Sequence, residues 1–133
     1  GCAGERMKPF EDSLGLEVTQ KHEDGVTIEV PIRPDLLNGQ GVMHGGVIAS
    51  IADEAAWQAL EHHYGRGKYQ STTTELKVNY LRPLSGDKVI ARAVVVRAGR
   101  TLCVSRVDLF DTEGRLGGLA VVTYMLLGEK TAK

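Results

Sequence analysis

The sequence predicts an α+β domain in which one long helix packs on an antiparallel sheet. Residues 47–63 contain no Gly or Pro and carry apolar residues at helical spacing, whereas the segments around them alternate apolar and polar residues as strands do. At 133 residues the chain has the length of one domain, and no repeat or linker divides it. We expect an ordered domain over residues 10–127, a poorly structured leader over 1–9 and a tail over 128–133.

Two short strands are predicted ahead of the helix. Apolar and polar residues alternate over residues 14–18 and again over 26–30, and a turn at 22–25 joins the two segments into a hairpin. Pro31 and Pro34 end the second strand. A loop of about eleven residues, 33–43, follows; a loop of that length in a small domain is uncommon unless it has a functional role.

The predicted helix begins directly after a glycine-rich loop. Gly45 and Gly46 come just before its first apolar residue, and the first amides of any helix have no partner within the helix. No side chains shield the amides at these glycines, and the positive end of the helix dipole lies there. The helix start is therefore a candidate site for an anion, or for an oxygen that becomes one.

The faces of the helix distinguish its two adjacent acidic residues. At about 100° per residue, Asp53 falls on a partly dry flank beside Trp57, whereas Glu54 falls on the polar face, where we expect solvent. A carboxylate on an apolar flank needs partners or a function, so Asp53 is the functional candidate. The apolar face predicted to enter the core consists of Ile48, Ile51, Ala52, Ala55 and Ala59.

Four long strands are predicted after the helix, which ends near Gly65. They cover residues 76–80, 89–96, 102–110 and 116–127, and short turns separate them. Gly117 and Gly118 inside the last strand predict a bulge or a close backbone approach. Since one helix cannot cover both faces of so large a sheet, we expect the chain to associate with further copies of itself.

The composition argues against several other classes of protein. A formal charge of −1, from 16 basic and 17 acidic residues, gives no basic surface for nucleic acid. The two cysteines, Cys2 and Cys103, form neither a CxxC pair nor a zinc motif. The longest nearly apolar run, residues 119–127, is too short to cross a bilayer, and no signal peptide pattern opens the chain. We expect a cytoplasmic protein without metal.

A pattern of polar residues and glycines surrounds the helix start. Asn38 is followed six residues later by His44-Gly45-Gly46, and Asp53 comes nine residues after His44. Together with the strand and its exit over residues 72–83, this pattern resembles the phenylacetic acid degradation (PaaI-like) acyl-CoA thioesterases. The resemblance covers residues 10–127 and implies the hotdog fold, a curved antiparallel sheet wrapped around the central helix. It also implies two protomers joined edge to edge.

The resemblance further implies roles for individual residues. Gly45 would donate its backbone N–H to the thioester carbonyl, and His44 and Asn38 would position that carbonyl and the attacking water. Asp53 of the other protomer would be the general base or a nucleophile, and Thr73 would orient Asp53 or the water. Substrate contacts are expected of Gly46, Trp57, Arg82 and Arg100.

The implied function is hydrolysis of a medium-chain, aryl or aryl-acetyl-CoA thioester to the acid and free coenzyme A, without a cofactor. The assembly that we expect is a homodimer, and beyond it a homotetramer. No G-x-S-x-G motif or Ser-His-Asp order is present, as water-based hydrolysis of a reactive thioester would allow. Two alternatives remain on the same fold: a non-catalytic acyl-CoA binding or sensor protein, and an enoyl-CoA hydratase or dehydratase. His44 could also serve only to cap the helix.

Overall fold

A computed structural model describes residues 9–130 of the chain, so most of the predicted leader (1–8) and the end of the predicted tail (131–133) lie outside the described residues. Six strands and one α-helix follow in the predicted order. They are β1 (Glu17–His22), β2 (Gly25–Pro31), α1 (Gly45–Tyr64), β3 (Tyr69–Tyr80), β4 (Lys88–Ala98), β5 (Leu102–Phe110) and β6 (Leu116–Glu129). Short 3-10 helices cover Phe10–Leu14 and Pro34–Leu36.

The six strands form one antiparallel sheet in the order β1-β2-β4-β5-β6-β3. Helix α1 packs on one face of this sheet, here called the inner face, and the core lies between them. The predicted α+β hotdog architecture is therefore confirmed. Within the described part of the chain, no helix combines the length and hydrophobicity that a membrane span requires.

Helix α1 buries the face that its sequence predicted. All five apolar residues expected in the core are buried, from Ile48 to Ala59. The predicted polar face is less exposed to solvent than expected. Glu61 lies on this face and is buried, and its carboxylate accepts a hydrogen bond from the Gly67 N–H at 2.9 Å. Glu54, expected in solvent, is only half exposed. The segment before β1 also differs: its leading residues form the 3-10 helix rather than an extended strand.

Strand β3 lies at the edge of the sheet and contains a bulge. Among the described strands it pairs only with β6. Thr73 lies opposite Tyr124 while Glu75 lies opposite Thr123, so Thr74 is the extra residue. Because residues directly opposite share a face, the bulge turns both Thr73 and Leu76 toward the inner face, although they are three positions apart.

Strand β6 has the bulge that the glycine pair predicted. Gly118 lies opposite Leu109 and Leu116 lies opposite Phe110, which leaves Gly117 as the extra residue. The backbone also comes close to another segment here, since a Cβ on Gly117 would lie 2.5 Å from Cδ2 of Leu84. Both features expected at this position are confirmed.

Candidate active site

The loop before α1 is held in shape by Asn38. Its side-chain oxygen accepts hydrogen bonds from the backbone N–H groups of Gln40 at 2.9 Å and Val42 at 3.3 Å. The Asn38 N–H also donates to the carbonyl of Val42 at 2.7 Å. The oxygen of the amide is thus occupied within the loop, and the amide NH₂ is the part of this side chain that could contact a substrate.

His44 is the N-cap of α1 and satisfies most of its first amides. Its Nδ1 accepts a hydrogen bond from the Gly46 N–H at 2.9 Å, and its carbonyl accepts from Val47 at 3.0 Å and Ile48 at 3.1 Å. Among the described residues, the Gly45 N–H has no acceptor. The start of the helix therefore presents one free backbone donor, at the positive end of the dipole.

The cap also fixes the tautomer of His44. Since Nδ1 accepts a hydrogen bond, the proton of the neutral imidazole lies on Nε2. The side chain is exposed, so this Nε2–H can donate to a bound molecule. Nδ1 of His44 caps the helix and Nε2 remains available for binding, so the two roles are compatible.

Tyr80 and Arg82 lie beside the helix start. The Tyr80 hydroxyl donates to the Gly45 carbonyl at 2.8 Å, and a pocket of about 350 Å³ opens next to it. Most of that pocket is lined by apolar side chains, together with Gly45 and Arg82. Arg82 is exposed and is placed where it could meet a charged group of a molecule bound at this end of the helix.

Asp53 is half-buried and is held by two hydroxyl groups from the sheet. Its Oδ1 accepts from Thr73 Oγ1 at 2.7 Å and from the Tyr124 hydroxyl at 2.8 Å. The structure thus brings Thr73 and Asp53 together. Tyr124 was not among the site residues predicted from the sequence, although a tyrosine within the apolar run 119–127 was a signal, since a buried phenol needs a hydrogen-bonding partner.

A second pocket, of about 360 Å³, is lined by Thr73 and Tyr124, the two hydroxyl partners of Asp53, although Asp53 itself does not line it. Trp57 forms one wall, one helical turn beyond Asp53, and Ser71 contributes a buried hydroxyl oxygen without a hydrogen-bond partner among the described residues. Glu54 also lines this pocket. Burial, with smaller contributions from the nearby carboxylates Glu11, Asp53 and Asp12, raises the pKa of Glu54 to about 7.

The predicted site residues form two groups within one chain. Gly45 and Asp53 are eight residues apart on one helix, which corresponds to about 12 Å along its axis. Arg100 belongs to neither group, because it follows Gly99, whose carbonyl accepts a hydrogen bond from Tyr64 at the other end of α1. No group of three or more His, Cys, Asp or Glu side chains within residues 9–130 could hold a metal ion.

Comparisons with known proteins identify the family of this chain. The Thioesterase superfamily matches residues 40–118 of the chain. The medium/long-chain acyl-CoA thioesterase YigI of Escherichia coli K12 is 30% identical over 132 residues, which cover 89% of this chain and 85% of that protein.

Solved structures of related proteins have the same fold. The thioesterase HI1161 from Haemophilus influenzae gives a TM-score of 0.81 at 27% identity, over 88% of this chain and 81% of its own. A mutant of the phenylacetic acid degradation protein PaaI from Thermus thermophilus gives a TM-score of 0.78 at 30% identity. The match covers 90% of this chain and 100% of the PaaI chain. The resemblance predicted from the sequence is confirmed: the chain belongs to the thioesterase superfamily and is a PaaI-like hotdog enzyme of the hydrolase class.

Proposed function

We propose that this protein hydrolyses acyl-CoA thioesters by adding water to the thioester carbonyl. The observation that carries the proposal is the Gly45 N–H at the start of α1, which has no acceptor within residues 9–130, whereas the other first amides have acceptors. A carbonyl oxygen bound there becomes an oxyanion as water adds, and the N–H together with the helix dipole stabilises that charge. One such donor contributes on the order of 10²–10³ in rate.

Asp53 is the general base in this proposal. The two hydroxyl groups on Oδ1 hold the carboxylate in one orientation and leave Oδ2 free to accept a proton from water. A thiolate leaves readily, so a polarised carbonyl and an oriented base are sufficient for hydrolysis. His44, through Nε2–H, and Asn38, through its NH₂, would hold the carbonyl and the water in position.

The site needs two copies of the chain. About 12 Å separates Gly45 from Asp53 along one helix, whereas reacting atoms must come within roughly 3–3.5 Å of each other. Edge strand β3 supports pairing with a second copy, because its inner face leaves Leu76 37% and Tyr80 56% exposed. We therefore propose a homodimer joined at β3, in which Asp53 of one protomer faces Gly45 of its partner.

The proposed substrates are medium-chain or aryl-acetyl thioesters of coenzyme A. The name of the Escherichia coli relative supports the first and that of the PaaI protein the second. In this chain Trp57 offers an aromatic wall next to Asp53, and Arg82 offers a positive charge for a coenzyme A phosphate near Gly45.

The direct test is release of free thiol from a panel of acyl-CoAs, from acetyl to long-chain and phenylacetyl, followed with a disulfide reagent. We expect Asp53→Asn to reduce kcat by about 10²–10⁴, the usual contribution of a general base. Asp108→Asn is the matched control, since that carboxylate pairs with Arg106 on the other face of the sheet. Acyl-CoA binding without thiol release would instead indicate the sensor alternative, and loss of enoyl-CoA absorbance the hydratase.

A further inference from the structure

We infer that Tyr124 is a positioning residue for this reaction, which fixes the orientation of the Asp53 carboxylate from strand β6. The inference rests on the proposed function, because it assumes that Asp53 is the base. Tyr124 belongs neither to the motif around α1 nor to the residues for which the resemblance implied a role.

Tyr124 and Thr73 form a cross-strand pair directly below Asp53. They lie opposite each other on β6 and β3, so their side chains leave the sheet on the same face. Both hydroxyl groups reach the same oxygen, Oδ1, at 2.8 Å from Tyr124 and 2.7 Å from Thr73. The bulge at Thr74 sets this register, since it turns Thr73 inward beside the tyrosine.

The surroundings of Tyr124 keep its hydroxyl a donor. The side chain is 6% exposed, and burial, above all, raises the pKa of its phenol well above the usual value. Both acceptors of the hydroxyl belong to Asp53: Oδ1 at 2.8 Å and the main-chain carbonyl at 3.2 Å. Tyr124 therefore contacts the helix at the residue that bears the base, and its proton is available at every pH at which the enzyme works.

Two donors on one oxygen have a specific effect on the carboxylate. They fix its rotation about the Cβ–Cγ bond and draw negative charge onto Oδ1, while Oδ2 accepts no hydrogen bond from the residues that the structure describes. With one donor lost, the carboxylate has more orientations open to it.

The test compares Tyr124→Phe with Tyr64→Phe. Tyr64 is the matched control: it also lies partly buried against the core and donates to a backbone carbonyl, that of Gly99, but at the far end of α1. For Tyr124→Phe we expect kcat to fall roughly tenfold, as for a lost hydrogen bond to a charged group, with KM unchanged within twofold. Tyr64→Phe should keep the kcat and the KM of the wild type.

Two further measurements separate this inference from the proposed function. Adding Tyr124→Phe to Asp53→Asn should cause no further loss of kcat, since the tyrosine acts through Asp53. If Asp53→Asn is inactive, a wild-type kcat in Tyr124→Phe, or a loss confined to KM, would overturn the inference alone. Wild-type activity in Asp53→Asn would overturn the proposed base and the inference with it.

Discussion

Gly45 can be altered by a single methyl group with little effect on the fold. A Cβ at this position would contact the Tyr80 ring at 3.5 Å, an ordinary van der Waals distance. The methyl would, however, lie beside the free N–H and hinder approach of a carbonyl oxygen. We expect Gly45→Ala to fold normally and to lose about tenfold to a hundredfold in kcat/KM, measured by thiol release.

Gly39→Ala is the control for this variant. Gly39 lies in the loop that precedes α1, and a Cβ there would meet nothing within 4 Å. It should therefore retain wild-type rates. Equal rates for Gly45→Ala and wild type would show that the free amide does not bind the reacting carbonyl.

The raised pKa of Glu54 makes stability depend on pH. Its pKa rises from an ordinary 4.5 to about 7, so the folded state binds more protons than the unfolded state between these values. The free energy of unfolding therefore falls as pH rises through this range, and the full cost in stability is present above pH 7. Because the side chain is half-exposed, solvent screening reduces this cost to on the order of 1 kcal/mol.

Glu54→Gln should remove this pH dependence. The amide stays neutral, so we expect the variant to be more stable than wild type at pH 8 by about 1 kcal/mol and nearly equal to it at pH 5. Urea unfolding at the two pH values measures the difference, with Glu75→Gln on the other face of the sheet as the control. An identical difference at both pH values would contradict the electrostatic cause.

The sequence located Asp53 but not all of its partners. Rotation along the helix was enough to place Asp53 on a partly dry flank, because helix geometry is local. Its contact with Tyr124 depends on packing between residues 71 positions apart, which no local pattern contains. Glu54 was assigned to solvent for the same reason: the 3-10 helix at Phe10–Leu14 partly covers that face.

At the scale of secondary structure, the bulges at Thr74 and Gly117 show what strand patterns can and cannot predict. A glycine pair marked the bulge in β6, since residues without side chains are typical where backbone segments meet. No such signal marked the bulge in β3. Strict alternation from Leu76 would turn Thr74 and Thr72 inward, and it is the extra residue that brings Thr73 to Asp53 instead.

Gly117→Ala should destabilise the protein at the β6 bulge. The added Cβ would lie 2.5 Å from Leu84 Cδ2 and 3.1 Å from the carbonyl oxygen of Arg82, so both segments must shift. We expect a loss of about 1–3 kcal/mol in the free energy of unfolding, as for other overpacked sites. Denaturant unfolding with constant m-value measures it.

A double variant tests the cause of that loss. Leu84→Ala creates a cavity by itself, but it also removes the atoms that the new methyl would meet. The combination with Gly117→Ala should therefore be less destabilised than the sum of the single variants. Simple additivity would mean that the strain lies elsewhere in the bulge.

At the scale of the whole molecule, the proposed shared site would allow two impaired variants to restore each other. In a mixed dimer of Gly45→Ala and Asp53→Asn, one site carries both changes and the other carries neither. Random exchange of protomers should then return up to about a quarter of the wild-type activity, because half of the dimers are mixed and each has one intact site. Thiol release after co-refolding measures the recovery.

Light scattering provides the independent control for that experiment. The chain has a mass of 14.4 kDa, and we expect a particle of twice this mass, or four times if dimers pair further. No recovery in a mixture shown to contain mixed dimers would mean that each protomer holds a complete site. A monomer at working concentration would exclude the shared arrangement altogether.

The free donor at the start of α1 belongs to the peptide backbone, and this has a consequence for how such enzymes diversify. Substitutions of the side chains that line the two pockets leave that amide in place, so under the proposed mechanism they can reshape the acyl cavity without removing the carbonyl donor. Stepwise changes at positions such as Trp57 would then alter the thioesters that are accepted, while the proposed hydrogen bond to the carbonyl is inherited unchanged.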